Sequence, residues 1–301
     1  MDAVHAGELV AIVASFLWSA TAIAFTAAGR RVGSQAVNFA RLPLGVLCLV
    51  AAHWVLRGSL WPVATPDARL WLALSGIIGL TVGDGFLFWS YEKIGPRRAL
   101  LMLATAPAFT VVFAWLWLGE RLGLTSLAGI VVIVAGVAMA TLGRDDGRGV
   151  FSNLPSGVLR AGLAAGLASG ICQGIGATLA KAGMANLDPL GATVLRMAWG
   201  TLAMTVVAVL SRKLVPWIGA WRDRRAMWPL LAGVVMGPFL GVWFSLIAFK
   251  LTATGVAVAL TGTVPITILP FSAIFHRDRP SRLALVGTAV AVAGGAILFL
   301  R

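Results

Sequence analysis

Hydrophobic positions gather into ten long runs, at about residues 8–29, 36–56, 70–91, 97–118, 124–142, 157–183, 189–210, 227–249, 254–275 and 282–300. Each holds roughly 18–24 residues, enough for an α-helix rising 1.5 Å per residue to cross ~30 Å of hydrocarbon. None shows the ten-residue apolar–polar alternation of a membrane-spanning strand, and in lipid only a helix or a closed barrel satisfies its own backbone. The pattern predicts an all-α polytopic membrane protein with ten transmembrane helices. The first run has no basic stretch ahead of it and exceeds 20 residues, so it reads as a helix that stays rather than a signal peptide. The polar stretch 143–156, GRDDGRGVFSNLPS, is the one connection with linker character, and it separates five runs from five.

The two sets of five repeat one another. Adding 158 to Gly79, Gly83, Tyr91, Ala99, Thr105, Pro107, Glu120, Arg121, Gly129 and Gly136 gives Gly237, Gly241, Phe249, Ala257, Thr263, Pro265, Asp278, Arg279, Gly287 and Gly294. Eight of the ten pairs are identical, and the other two exchange one aromatic or one acid for another. Upstream the echo continues at slightly different offsets: Arg41 answers Arg196, and Ala14, Ser15 and Gly29 answer Ala168, Ser169 and Gly183. Residues 1–142 and 157–301 thus read as duplicated five-helix units joined by the linker. An odd number of helices per unit requires the halves to insert upside down, a 5+5 inverted-topology repeat. The basic residues agree. They favour connections 1–2 and 3–4 in the first half (Arg30, Arg31, Lys93, Arg97, Arg98) and 7–8 and 9–10 in the second (among them Arg212, Lys213, Arg222, Arg224, Arg225, Arg277, Arg279). By the positive-inside rule this bias places both termini outside.

Composition narrows the function. The chain is 59% hydrophobic and 12% charged, where a soluble domain carries about a quarter charged residues. Its net charge of +13 suggests nucleic acid, but the basic residues sit in short clusters at helix ends, where they meet lipid headgroups, so the expected partners are a lipid bilayer and no nucleic acid. Cys48 and Cys172 lie in apolar runs without ligand spacing, predicting neither disulfide nor metal. No Walker A motif, nucleophile elbow or metal pattern occurs, and three histidines are too few for a general-base cluster, so neither an enzyme nor a cofactor is expected. An intramembrane enzyme or a structural membrane protein is the alternative of another class, and neither needs an inverted duplication.

Small residues mark packing faces: Gly162, Gly166, Gly170 and Gly174 at four-residue spacing, Gly79/Gly83, and Gly233/Gly237/Gly241. Such faces let backbones approach closely in lipid, and they could also slide. Pro107 and Pro265 fall at equivalent positions within runs four and nine, where each removes a helix hydrogen bond and frees a carbonyl, which makes them candidate hinges. Pro43, Pro238 and Pro270 have no such mate and read as ordinary kinks.

The paired five-helix halves, the triplets Thr105-Ala106-Pro107 and Thr263-Val264-Pro265, and the WLWLGERL stretch Trp115–Leu122 resemble the EamA-type family of the drug/metabolite transporter superfamily over nearly the whole chain. The resemblance implies a secondary carrier of small molecules in the bacterial inner membrane. It would work by alternating access between inverted halves, often exporting amino acids or related metabolites. It also implies termini in the cytoplasm, against the charge bias, and a fused chain that can act as a monomer. His276-Arg277-Asp278-Arg279 departs from the family's second Gly-Glu-Arg.

Ionisable groups in apolar runs are the candidate site, because a charge in hydrocarbon must be paired or wetted. Asp84 shares one helical stripe with Phe88 and Tyr91, a wall suited to a cationic or amino group, and its repeat mate is Val242. Proton-coupled efflux of hydrophobic cations through Asp84 is the second transport reading. Arg41 and Arg196 each lie about 10 Å inside their helices and enter from opposite faces, so they are expected near different mouths rather than clamping one carboxylate together, as gates, as carboxylate-capturing groups or snorkelling to headgroups. Glu120 and Asp278 are expected to organise helix–helix turns. His53, beside Trp54 and Arg57, reads as interfacial. Thr105, Thr263, Ser19 and Gln173 are candidate hydrogen-bonding groups for substrate. Among twelve tryptophans, Trp54, Trp61, Trp71, Trp221 and Trp228 read as interfacial belt, while Trp18, Trp89, Trp199 and Trp243 could wall a cavity.

Overall fold

The computed structural model describes residues 2–142, 154–267 and 281–300 (side chains of Pro96, Arg97 and Ala220 excepted), and all regular structure in them is helical. Eight helices there have the length and hydropathy of membrane spans: α1 (Ala3–Val32), α2 (Ser34–Arg57), α3 (Pro66–Gly95), α4 (Arg98–Leu118), α5 (Leu124–Leu142), α6 (Ser156–Gly183), α7 (Pro189–Leu210) and α8 (Arg224–Leu251). A shorter apolar helix α9 (Thr254–Thr267) and a ninth span α10 (Arg282–Phe299) follow. The rest of the ninth apolar run lies outside the described residues, as do Pro270, Asp278 and Arg279.

Helix ends follow local chemistry. Asp188 accepts from the N–H groups of Leu190 and Gly191 to start α7, and Asp223 accepts from Arg225 and Ala226 to start α8. Thr65 and Ser281 cap α3 and α10 in the same way. These side-chain oxygens satisfy donors that have no partner within the helix. Gly58, at φ 72°, adopts the left-handed conformation that ends α2.

Two devices recur at the 158-residue spacing. Residues Gly76–Gly83 of α3 and Val235–Gly241 of α8 are π-helical, with the Asp84 N–H reaching Gly79 O and the Val242 N–H reaching Gly237 O. Pro238 is therefore not the cause, since Leu80 occupies its position in the first copy. Such bulges tend to accompany functional sites. Helix α4 is interrupted at Ala104–Thr105, and Thr105 Oγ1 donates to Met102 O at 2.6 Å. In α9 the break falls at Gly262–Thr263, and Thr263 Oγ1 donates to Leu260 O at 2.7 Å. Pro107 begins a new helical segment there, where its missing N–H costs little. The threonine hydroxyls thus occupy the carbonyls of Met102 and Leu260 at the two breaks.

Close packing uses the predicted glycine faces. A Cβ on Gly162, Gly166, Gly170 or Gly174 of α6 would meet Ile94, Met102, Thr105 Oγ1 or Thr110 N, so this face lies on α3 and α4. On the other side α1 packs on α8, with Phe25 over Gly233, Thr21 over Gly237 and Trp18 over Gly241. Helices α5 and α10 meet through Gly129 against Gly294 and Gly136 against Gly287. Residue numbers rise on one helix as they fall on the other, so these two helices run antiparallel.

Candidate functional site

A cavity of about 1180 Å³ runs through the helices. At the α1–α2 end its lining includes the exposed Arg30 and the half-buried Ser34. Much of its wall comes in repeat-related pairs: Asp84/Val242, Leu87/Ser245, Tyr91/Phe249, Leu100/Val258, Leu103/Thr261 and Pro107/Pro265 all line it, each pair 158 apart.

The charged centre is built by three helices. Asn38, one turn before Arg41 on α2, accepts a hydrogen bond from Arg41 Nε at 2.9 Å. This turns the guanidinium toward Asp84, whose Oδ2 accepts from Arg41 Nη2. Asp84 follows directly on the π-helical segment of α3. Its Oδ1 accepts from Gln173 Nε2 of α6 at 2.8 Å, while the same nitrogen lies 3.4 Å from Gly79 O. Arg41 is 4% and Asp84 7% exposed, so the pair is withdrawn from solvent. Phe88 places its ring under the Arg41 guanidinium, 5.9 Å from the centroid, and meets Tyr91 edge-on. Arg196 of α7 is equally buried and lines the same cavity.

Of the residues singled out from the sequence, Trp18, Asp84, Phe88, Tyr91, Gln173, Arg41, Arg196, Pro107 and Pro265 line this cavity. Two expectations about the arginines are corrected. They do not snorkel, and they do not sit at separate mouths. Each enters ~10 Å deep from its own face of a ~30 Å core, which leaves a gap that two long side chains can span. Asp84 lines the cavity already paired with Arg41, so it meets any incoming group as one member of an ion pair.

Ser19, Thr105, Thr263 and Trp243 are not among the lining residues. Ser19 hydrogen-bonds Ser15 O and the Thr267 hydroxyl, and Ser15 bonds both Thr263 and Thr267, so these hydroxyls tie α1 to the break in α9. Trp243 meets Phe239 at a tilt and Phe244 edge-on. Trp89 and Trp199 are exposed on the outer surface, 39% and 38%. His53 is buried, its Nδ1 2.7 Å from Ser59 O, and it holds the turn after α2 rather than facing an interface. Sequence reasoning missed Asn38, whose one-turn spacing before Arg41 was the available signal.

The end away from Arg30 is closed by polar ties. Glu120 accepts from the N–H and hydroxyl of Thr254, both at 2.8 Å, and so caps α9. Lys181 lies 2.7 Å from Glu120 and donates to Thr252 O. Lys250 donates to Leu187 O at 3.0 Å. At the other end Arg31 pairs with Asp223 at 3.0 Å. Desolvation raises the Asp223 pKa, but hydrogen bonds from Arg31 and Ala226, the Arg31 charge and the Arg225 N–H together outweigh it and hold this carboxyl below its ordinary value.

Glu120→Gln keeps an acceptor for Thr254 but removes the charge that holds Lys181. A partly buried pair of this kind contributes about 1 kcal/mol, or roughly fivefold in a two-state population. Opening of this end is expected to rise by that factor. The check is labelling of Val258→Cys by an impermeant thiol reagent, in a protein with Cys48 and Cys172 replaced by alanine.

The EamA-like transporter family model matches residues 5–142 and again 160–300. The chain belongs to the EamA-like transporter family. It is an integral, multi-pass membrane protein. A 120-residue stretch is 29% identical to a "Probable terminal-alkyne amino-acid exporter" of Streptantibioticus cattleyicolor, covering 39% of this chain and 40% of that protein. A 129-residue stretch is 31% identical to an uncharacterized transporter in the cobO 3' region of a Sinorhizobium species, covering 41% of this chain and 91% of that one. The match to the exporter thus spans about two-fifths of its length. A solved crystal structure superposes with a TM-score of 0.79 at 20% identity, over 98% of this chain and 97% of the other, and so shares the fold.

Proposed function

We propose that this EamA-like protein is a secondary carrier that exports amino acids or closely related small metabolites by alternating access. Two inverted five-helix repeats of ten spans in all, residues 1–142 and 157–301 with the linker 143–156, would rock about the central cavity. The observation that carries the reading is the cavity wall itself, formed by pairs such as Asp84/Val242 and Pro107/Pro265 that the repeat relates. A site on the relating axis is one that either half can expose. Three further observations support it: the two stretches matched by the family model, the antiparallel contact of α5 with α10, and a cavity lined up to one end while polar ties close the other. The name of the Streptantibioticus relative, an amino-acid exporter, supports the amino-acid class.

The paired helix breaks at Thr105 and Thr263 supply the flexing points, and Pro107 and Pro265 keep those breaks from closing into continuous helix. Asp84, Phe88, Tyr91, Trp18 and Gln173 form the binding wall, with Arg41 positioning Asp84. A single fused chain already holds both halves, so a monomer suffices.

Counterflow in proteoliposomes containing only this protein tests the reading. Labelled amino acids and one lipophilic cation are offered with and without a pH gradient. Uptake of amino acids is the expected result. Uptake of the cation alone, driven by the gradient, would replace this reading with proton-coupled drug efflux, and absence of any flux would remove the amino-acid assignment.

A further inference from the structure

The charges of the cavity do not balance. Arg30, Arg41 and Arg196 line it, while Asp84 is its only acid among the described residues. Asp84 is committed to Arg41 and Gln173. Arg196 is the repeat mate of Arg41, yet the repeat mate of Asp84 is Val242, so duplication has left this arginine without an acid. Arg196 is 5% exposed, makes no ion pair among the described residues, and its Nε has no hydrogen-bond partner there. A buried charge in this state is expensive, and an incoming anion relieves the cost.

The two ionic groups also sit close together, with Gly79 between them. Gln173 joins Asp84 to Gly79 O. A Cβ on Gly79 would stand 3.0 Å from Arg196 Nη2, so the guanidinium lies over the bare face of this glycine. Each oxygen of Asp84 accepts one side-chain hydrogen bond and retains a second lone pair. Trp18, Val242 and Pro107 add apolar wall to the same chamber.

We infer that Arg196 is the carboxylate-binding group of this cavity, so that the carrier selects amphipathic carboxylates and, above all, zwitterionic α-amino acids with apolar side chains. The carboxylate takes the planar fork of Arg196, the ammonium approaches Asp84, and the side chain lies on the apolar wall. This rests on the transport reading above and narrows it to a head group. A lipophilic cation meets a cavity of net positive charge and is disfavoured.

The experiment uses purified full-length protein and three probes of one shape: phenylalanine, 3-phenylpropionate, which lacks the ammonium, and phenethylamine, which lacks the carboxylate. Binding is read as a shift in melting temperature in detergent, and flux as counterflow. Phenylalanine and phenylpropionate are expected to stabilise the wild type, and phenethylamine is not. Arg196→Gln is expected to melt higher than wild type without ligand, because it removes an uncompensated charge. It should also bind both carboxylates at least tenfold more weakly, the loss of a charge-assisted pair. Arg196→Lys should recover part of that binding. A merely structural arginine would give the reverse, a lower melting temperature with unchanged probe affinity. Unchanged affinity in Arg196→Gln, or phenethylamine binding as well as phenylalanine, overturns the inference even while flux continues. Absence of both binding and flux for all three probes overturns it together with the transport reading.

Discussion

Asp84→Asn is expected to abolish transport and to lower the melting temperature of the purified protein, and replacing Arg41 by glutamine in the same chain should restore the second property but not the first. Arg41 and Asp84 are both buried and bonded to each other, with Asn38 and Gln173 completing their bonds. Removing one member of such a pair leaves the other charge uncompensated, at a cost of about 3–5 kcal/mol. Neutralising both leaves neither member of the pair as an unpaired charge, so the double variant should recover much of the loss. It still lacks the acid that meets the substrate, and counterflow should remain absent. The double-mutant cycle separates the coupling energy of the pair from its role in binding. Normal uptake by a stable Asp84→Asn protein would remove the pair from the transport mechanism.

How much of this was legible in the chain depends on distance along it. Spans could be read because each is a local fact. An apolar run near 20 residues, ended by Asp188, Asp223, Gly58 or Ser281, declares its own limits, and the described helices follow the predicted runs closely. The repeat-related glycines and the Thr-x-Pro breaks were legible for the same reason. Partnerships were not. Arg41 and Asp84 are 43 residues apart on different helices, and depth within each helix says nothing of which neighbour a long side chain reaches. Measuring each arginine from its own helix end separated two residues that the crossing of the spans brings to one cavity. Tryptophan depth misled likewise, because Trp89 and Trp199 lie deep along their helices but on outer faces. The π-helical segments left no pattern in hydrophobicity at all. They contain the glycines against which other helices pack, Arg196 and Gly176 at Gly79 and the Thr21 side chain at Gly237.

The contact of α5 with α10 sets the second large expectation. Gly136→Leu should prevent assembly of the folded protein, and its repeat mate Gly294→Leu should do so equally. A Cβ on Gly136 would stand 2.6 Å from Gly287 O and 2.7 Å from Ala291 Cβ, against the Ala291 backbone nitrogen. A Cβ on Gly294 meets Ile133 N at 2.7 Å and Gly129 O at 2.9 Å. These are main-chain atoms and one Cβ fixed to the main chain, so no rotamer change makes room, and the helices must part along their length. Overpacking relieved by side-chain movement costs about 1–3 kcal/mol, and one that separates two backbones costs more. In lipid nothing offsets it, because the helices are held by van der Waals contact and lipid replaces a lost partner at little cost. Size-exclusion chromatography in mild detergent should show a monodisperse peak for the wild type and for Gly157→Leu, where a Cβ meets nothing within 4 Å. Aggregate or degradation is expected for both α5–α10 variants. If only one of the two fails, the contact is not the two-fold one that inverted repeats require, and the rocking motion would need a different pivot.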